Sequence, residues 1–227
     1  MLALMEPGAD LIAFVARVFA CSPATAEAVA RRAANRVYAA RAVVLRQGDP
    51  CSDTWLVMAG RAQALVCGVD GQLALVQEYE DGDLFGAITA LDSGPQAADV
   101  VAVETLRAAL FLSGDFLELI EAHSAVGLAV SRLLLRQLRS ATGRMVERMT
   151  LTAAGRTRAE LLRMAVDEGG RRVIRPVPVW SSLAVRIQTT RETVSREISK
   201  MERRGQIRRE GGAIVLVSPR AIEADVI

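Results

Sequence analysis

Histidine occurs once in these 227 residues, at His123, and cysteine three times, at Cys21, Cys51 and Cys67. That scarcity excludes a good deal of chemistry. Three scattered cysteines cannot supply the roughly four thiolates that hold an iron–sulfur cluster. No C-x-x-C pair offers zinc spacing, and an odd number of distant thiols suits a reducing compartment. One histidine leaves no visible nucleophile–base pair and no metal-ligand set, so no metal site and no enzyme is expected. As a haem ligand His123 is a poor candidate, because it precedes a long helical pattern and reads as a surface or cap residue. Long apolar runs are missing too: none approaches the ~18 residues of a membrane span. The opening MLALMEPGADLIAFVARVFA has no basic leader and is interrupted by Glu6 and Pro7. It reads as a helix of a cytoplasmic protein without a membrane partner.

What is present is an ordinary globular composition, 51% hydrophobic and 24% charged, long enough for one large domain or two ordinary ones. The net charge of +2 hides an asymmetry. Residues 1–150 hold thirteen Lys and Arg against seventeen Asp and Glu, whereas 151–227 hold fifteen against nine. A basic C-terminal third on a mildly acidic body points to a nucleic-acid-facing module.

Hydrophobic periodicity divides the chain. Residues 8–37 carry helical spacing, broken at Ser22-Pro23. From about 42 to 112 short apolar runs alternate with turn residues, and Asp70-Gly71 marks a hairpin, which together indicate a β core. SGDFLELIEAH predicts a short helix with Ser113 as N-cap. A long helix follows, in which Leu134, Leu138, Ala141 and Met145 alternate spacings of four and three. That is the seam of a two-stranded coiled coil, although periodicity alone does not separate it from a stripe packed on the β core. Another helix, AAGRTRAELLRMAVDEGG, is expected to end at Gly169-Gly170, and the proline-rich RRVIRPVPVW reads as an edge strand or arm. Then come SSLAVRI, the turn region QTTR, ETVSREISKMERRG, and QIRREGGAIVLVS with Gly211-Gly212 as a hairpin turn. Helix, turn, helix, hairpin is a winged helix-turn-helix. The expected fold class is α+β, and the family resemblance carried by the residues quoted below implies an effector-type β-roll domain over residues 1–122, a dimerisation helix and hinge over 123–150, and a DNA-binding domain over 151–227.

The second helix of that motif has the side chains for reading DNA. Thr190 caps it, and Val194, Ile198 and Met201 form its buried stripe. Arg191, Glu192, Thr193, Ser195 and Arg196 lie at its N-terminal end, which such a helix presents to base edges. Arginine donates two bonds to guanine O6 and N7, glutamate accepts from cytosine N4, and serine bonds to several edges or to phosphate. Lys200, Arg203, Arg204, Arg208 and Arg209 would neutralise phosphates. Glu192 and Arg196 also fit the i,i+4 pair of a solvated helix. The helix before them and the hairpin after favour DNA.

SLAVRIQTTRETVSREISKMERRGQI followed by GGAIVLVSP resembles the C-terminal domain of the catabolite activator and fumarate-nitrate reduction regulator (Crp/Fnr) superfamily of bacterial transcription factors. The likeness runs from about residue 12 to 222, the β segment resembling a cyclic-nucleotide-binding β-roll and the long helix a dimerisation helix. Arg191, Glu192 and Arg196 match base-reading residues of one branch, and Glu192, Ser195 and Arg196 those of the other. The resemblance therefore implies a homodimer on double-stranded DNA with pseudo-palindromic, TGA-like half-sites, with RNA polymerase as a further partner. Gln188 stands where the family's inter-helix turn carries glycine, at a cost of about 1 kcal/mol if left-handed.

Residues 82–101, GDLFGAITALDSGPQAADVV, resemble the family's phosphate-binding cassette. There, a glutamate after the glycine holds the ribose hydroxyl, and an arginine ten residues later pairs with the cyclic phosphate. Here Gly86 is followed by Ala87 and Ile88, and Ala97 and Ala98 stand at the arginine and neighbouring hydroxyl positions. On the long helix Ala141 and Thr142 occupy the places of adenine-contacting hydroxyls. A lost charge-assisted phosphate contact forfeits about 1.5–3 kcal/mol. Cyclic AMP and cyclic GMP are thus not expected as cofactors; Arg61, after an earlier turn, and Arg107, on a later strand, could approach the pocket, but neither has the family's position. The function implied is DNA-binding transcription regulation with a degenerate pocket, ligand-independent or answering to another effector. The alternative is a cyclic-nucleotide-responsive protein with non-standard pocket residues.

Overall fold

The structure, a computed structural model, describes residues 8–50, 53–68, 71 and 73–226. Cys51 and the Asp70 half of the expected hairpin turn lie outside the described residues. The chain forms two compact units, Met1–Asp70 with Val76–Ala141, and Gly71–Leu75 with Thr142–Ile227.

The first unit opens with α1 (Ala9–Phe19), which buries Leu11, Val15 and Phe19 at fourfold spacing. Helix α2 (Pro23–Arg31) starts where the Ser22 hydroxyl accepts the Thr25 N–H at 3.2 Å and proline fills the first turn. Residues 34–37 were expected to continue the helical pattern but belong to strand β1 (Ala34–Tyr38), whose burial alternates residue by residue. Strands β2 (Val43–Leu45), β3 (Thr54–Ala59), β4 (Ala62–Cys67), β5 (Leu73–Tyr79) and β6 (Leu84–Phe85) follow. A short helix, α3 (Ala87–Asp92), then precedes β7 (Asp99–Ala102) and β8 (Leu106–Phe111).

Two antiparallel sheets result, ordered β1-β8-β3-β6 and β2-β7-β4-β5. Strand β3 is buried on both faces: Trp55 and Val57 join Leu45, Ala64, Phe85 and Val100 in one core, while Leu56 points into a second with helical residues. This explains its unbroken apolar run. Helix α4 (Ser113–Ala122) carries Leu112 in the cap place, so Ser113 is its first residue rather than its cap. Its N–H is satisfied instead by the Asp53 carboxylate at 3.2 Å. His123 is the C-cap of α4, where its carbonyl accepts the Val126 and Gly127 N–H groups. Helix α5 (Ser124–Thr150) seats Val126, Ala129, Val130 and Leu133 in the core.

In the second unit α6 (Ala153–Met164) is capped by the Thr152 hydroxyl. It ends before the glycine pair, because Gly169 and Gly170, both with positive φ, make the turn between β9 (Val166–Glu168) and β10 (Arg171–Ile174). Helices α7 (Trp180–Ile187) and α8 (Arg191–Arg203) come next, then β11 (Ile207–Glu210), β12 (Ala213–Leu216) and α9 (Pro219–Ala224). The sheet runs β11-β12-β10-β9, so β10 is interior and β9 takes the edge expected of RRVIRPVPVW. Strand β10 stops at Ile174, ahead of the first proline. Leu161, Leu183, Ile187, Val194, Ile198 and Met201 fill the core with Ile214 and Ile222. Among the described residues no single helix is long and apolar enough to cross a membrane, and no three His, Cys, Asp or Glu gather as a metal site would require.

Candidate nucleic-acid interface and effector cassette

The turn between α7 and α8 is built by backbone and one arginine. Gln188 takes the left-handed conformation, φ 49° and ψ 67°, and the Thr189 N–H closes onto the Ala184 carbonyl at 3.0 Å. Arg156 on α6 donates to the carbonyls of Ile187 at 2.9 Å and Gln188 at 3.2 Å, satisfying the end of α7. Thr190 then caps α8 by accepting the Thr193 N–H at 3.2 Å. Val194, Ile198 and Met201 are fully buried, which turns Arg191, Glu192, Ser195 and Arg196 outward. Thr193 and Lys200 are half-buried at the edges of this face.

Charge on that face is held ready. The Glu192 carboxyl lies below the usual carboxylate range because its own N–H and the Thr190 hydroxyl bond it, with Arg191 and Arg196 adding to the effect. Arg196 reaches the Thr193 hydroxyl at 3.3 Å. Of the cations expected to meet phosphate, three are paired: Arg204 with Asp225 at 3.4 Å, Arg209 with Glu202 at 3.5 Å, and Arg208 with Glu210. These exposed pairs are worth at most about 1 kcal/mol each and exchange readily for a phosphate. Arg209 also lies over the Trp180 ring, 5.6 Å from its centroid, which joins β11 to α7. Trp180, Arg156 and the buried residues Arg158 and Glu197 escape a reading that looks only for exposed base-reading side chains. Glu197 carried a signal, since it occupies an apolar slot three residues after Val194.

The cassette runs from β6 through the short helix α3 to β7. Gly86, φ 79°, leads from β6 into α3, and an added Cβ would collide with the Asp53 carbonyl and meet the Trp55 ring at 3.2 Å. Glycine is required there by space as well as by conformation. Ala87 is 2% exposed, Ala98 is buried, and Ile88 and Ala97 face solvent. The three aspartates are committed to backbone. Asp83 accepts the Glu80 N–H at 3.0 Å, Asp92 that of Gly94 at 2.9 Å, and Asp99 that of Gln47 at 2.7 Å. Burial pushes the Asp83 carboxyl up. Gln96 exchanges backbone bonds with Gly48 and Asp49, at 2.8 and 3.0 Å, and fixes the loop before β7. Arg61 is paired with Glu104 at 3.0 Å, and Arg107 is exposed. Burial raises the Cys21 thiol, and Cys67 is exposed.

Along α5, Leu138 and Met145 are exposed, and Ala141 and Thr142 are exposed between them. Leu134 is different: it is half-buried against its own unit's core, and Leu135 takes the outward place. Leu128, Leu135, Leu138, Thr142, Met145 and Met149 form one exposed row at heptad spacing.

Comparison with known proteins agrees with this architecture. The family model of the cyclic nucleotide-binding domain matches residues 35–123, and that of the Crp-like helix-turn-helix domain matches 155–224. The cyclic AMP receptor protein of Thermus thermophilus is 28% identical over 184 residues, 79% of this chain and 82% of its own length. A CRP-like cAMP-activated global transcriptional regulator of Mycobacterium tuberculosis is 23% identical over 177 residues, 76% of this chain and 79% of its own. The solved structure of FixK2 from Bradyrhizobium japonicum superposes with a TM-score of 0.70 at 21% identity, covering 85% of this chain and 96% of that one. Of these two relatives one is named a transcriptional regulator and the other a receptor protein, and neither is named an enzyme.

Proposed function

The chain belongs to the Crp/Fnr family of DNA-binding transcription regulators, and we propose that it works as a cytoplasmic homodimer that reads a pseudo-palindromic operator without cyclic AMP or cyclic GMP. The observation that carries the DNA reading is the α8 face. Arg191, Glu192, Ser195 and Arg196 stand exposed on one side while Val194, Ile198 and Met201 are buried on the other. Arg196 and Glu192, one turn apart, suit the two members of one G·C pair, which supports TGA-like half-sites. The exposed heptad row on α5 spans about 30 Å and supports a parallel seam with a second copy. RNA polymerase is the further partner that family membership implies.

The cassette residues do not fit a cyclic phosphate. Ala97 offers no cation, Ala87 is buried without a carboxylate for the ribose, and the loop's charged groups are aspartates already bonded to backbone. A cyclic phosphate entering here would lose water and gain no charged partner from these positions. The loop is inherited architecture, and the domain is ligand-independent or answers to a different effector.

Selection from a random duplex library with the purified chain tests the reading. Enrichment of a two-fold symmetric sequence, bound less tightly as salt rises, is the expected result, and no enrichment overturns it. Calorimetry with cyclic AMP and cyclic GMP is expected to be silent. Binding at micromolar concentration would overturn the degenerate pocket and favour a cyclic-nucleotide-responsive regulator with non-standard contacts.

A further inference from the structure

Two buried charges bear on how the DNA-reading face is held. Glu197 lies three residues after Val194 and four before Met201, inside the apolar stripe of α8, and Arg158 lies three before Leu161 in that of α6. They are 6% and 7% exposed. Arg158 Nη2 donates to Glu197 Oε1 at 2.5 Å, and its Nη1 donates to the Asp225 backbone carbonyl at 2.6 Å. One guanidinium thus ties α6 to α8 and to the chain just beyond α9. Its Nε has no hydrogen-bond partner. Helix α7 is tied to α6 separately, by Arg186 to Glu160 at 3.1 Å and by Arg156.

A buried ion pair is a poor source of stability, since well-packed apolar residues of similar volume often hold two helices equally well or better. Direction is what apolar contact lacks. Val194, Ile198 and Met201 decide which side of α8 is buried, but they tolerate small slides and rotations. A charge-assisted bond to a guanidinium that is itself fixed by a carbonyl does not. Glu197 directly follows Arg196, so whatever sets the azimuth of one sets that of the other. Bidentate contact with a base edge is sensitive to that placement.

We propose that Arg158 and Glu197 are a positioning pair: they fix the rotation and axial register of α8, and with them the sequence discrimination of Arg191, Glu192 and Arg196. The inference rests on the DNA-reading function proposed above. Its test uses the full chain and two probes, the duplex selected by the wild-type protein and a scrambled duplex of the same composition. The double variant Arg158→Met with Glu197→Leu is expected to melt at or above the wild-type temperature. Its affinity ratio for selected over scrambled duplex is expected to fall about tenfold or more. Glu197→Gln, which keeps an acceptor toward the guanidinium, is expected to retain most of the ratio. An unchanged ratio in a folded double variant overturns the inference, and so does a double variant that loses its fold, since the pair is then a stability element. A wild-type chain that selects no sequence overturns the DNA reading itself, before any variant is measured.

Discussion

Helices α3 and α8 each start close to a left-handed residue, which is the cap itself at α3 but lies two residues before an extended cap at α8, and they present opposite chemistry. Each follows a left-handed residue, Gly86 at φ 79° before α3 and Gln188 at φ 49° two residues ahead of the α8 cap. At α8 a hydroxyl cap and four exposed polar or charged side chains crowd the first turns. At α3 there is no side-chain cap, and Ala87, Thr89 and Ala90 turn inward. A left-handed residue near a helix start therefore does not by itself decide what that start can meet. Side-chain type at the helix start decides whether a phosphate or a base has anything to meet.

On the proposed function, DNA binding depends on α8 and on a second copy, and not on the cassette. The largest effect is expected from the seam. Replacing Leu138 and Met145 by glutamate puts like charges on the exposed row of α5 while leaving Val126, Ala129, Val130 and Leu133 to hold the helix on its core. The protein should sediment as a monomer, and operator affinity should drop by about 10²–10⁴ as the linked second half-site is lost. A dimer that persists would move the seam elsewhere. Gly86→Ala comes next. Its Cβ meets the Asp53 carbonyl at a positive φ, so the first unit should lose about 2–4 kcal/mol, read as a lower Tm by calorimetry. Operator affinity of the folded fraction should not change. Arg196→Ala should do the reverse. Specific binding weakens by about 1–3 kcal/mol in a gel-shift titration, with Tm unmoved because the side chain is exposed.

Legibility in the sequence followed the same division. Helix α8 was readable because its apolar residues fall on one face and its base-reading residue types on the other. At residues 82–101 the sequence itself shows alanines, Ala87 and Ala97, where the family resemblance places a carboxylate and a cation. Other features were under-determined. Gly169-Gly170 satisfies a helix C-terminus and a hairpin turn equally well, since both need positive φ, and pairing between β9 and β10 decided for the hairpin. In Leu133-Leu134-Leu135 three adjacent leucines fit any face, and only the core shows that Leu134 turns inward and Leu135 outward. Arg158 and Glu197 were passed over because an apolar-stripe count skips charges, although a charge in such a slot demands a partner.

The smallest expected effect tests the other left-handed residue. Gln188 is exposed, and its carbonyl is held by Arg156 whatever residue stands there. Gln188→Gly removes a left-handed strain of about 1–2 kcal/mol. It also loosens the unfolded chain, which costs about 0.5–1 kcal/mol. The balance is a gain of about 0.5 kcal/mol, a rise in the second unit's Tm of about 2–4 °C. Arg191, Glu192 and Arg196 do not depend on that side chain, so operator affinity should be unchanged. A rise in Tm with altered affinity would mean that the strain at Gln188 sets the angle at which α8 meets DNA. In that case the two left-handed residues would differ in function as well as in cost: Gly86 would keep only a shape, and Gln188 would tune a contact.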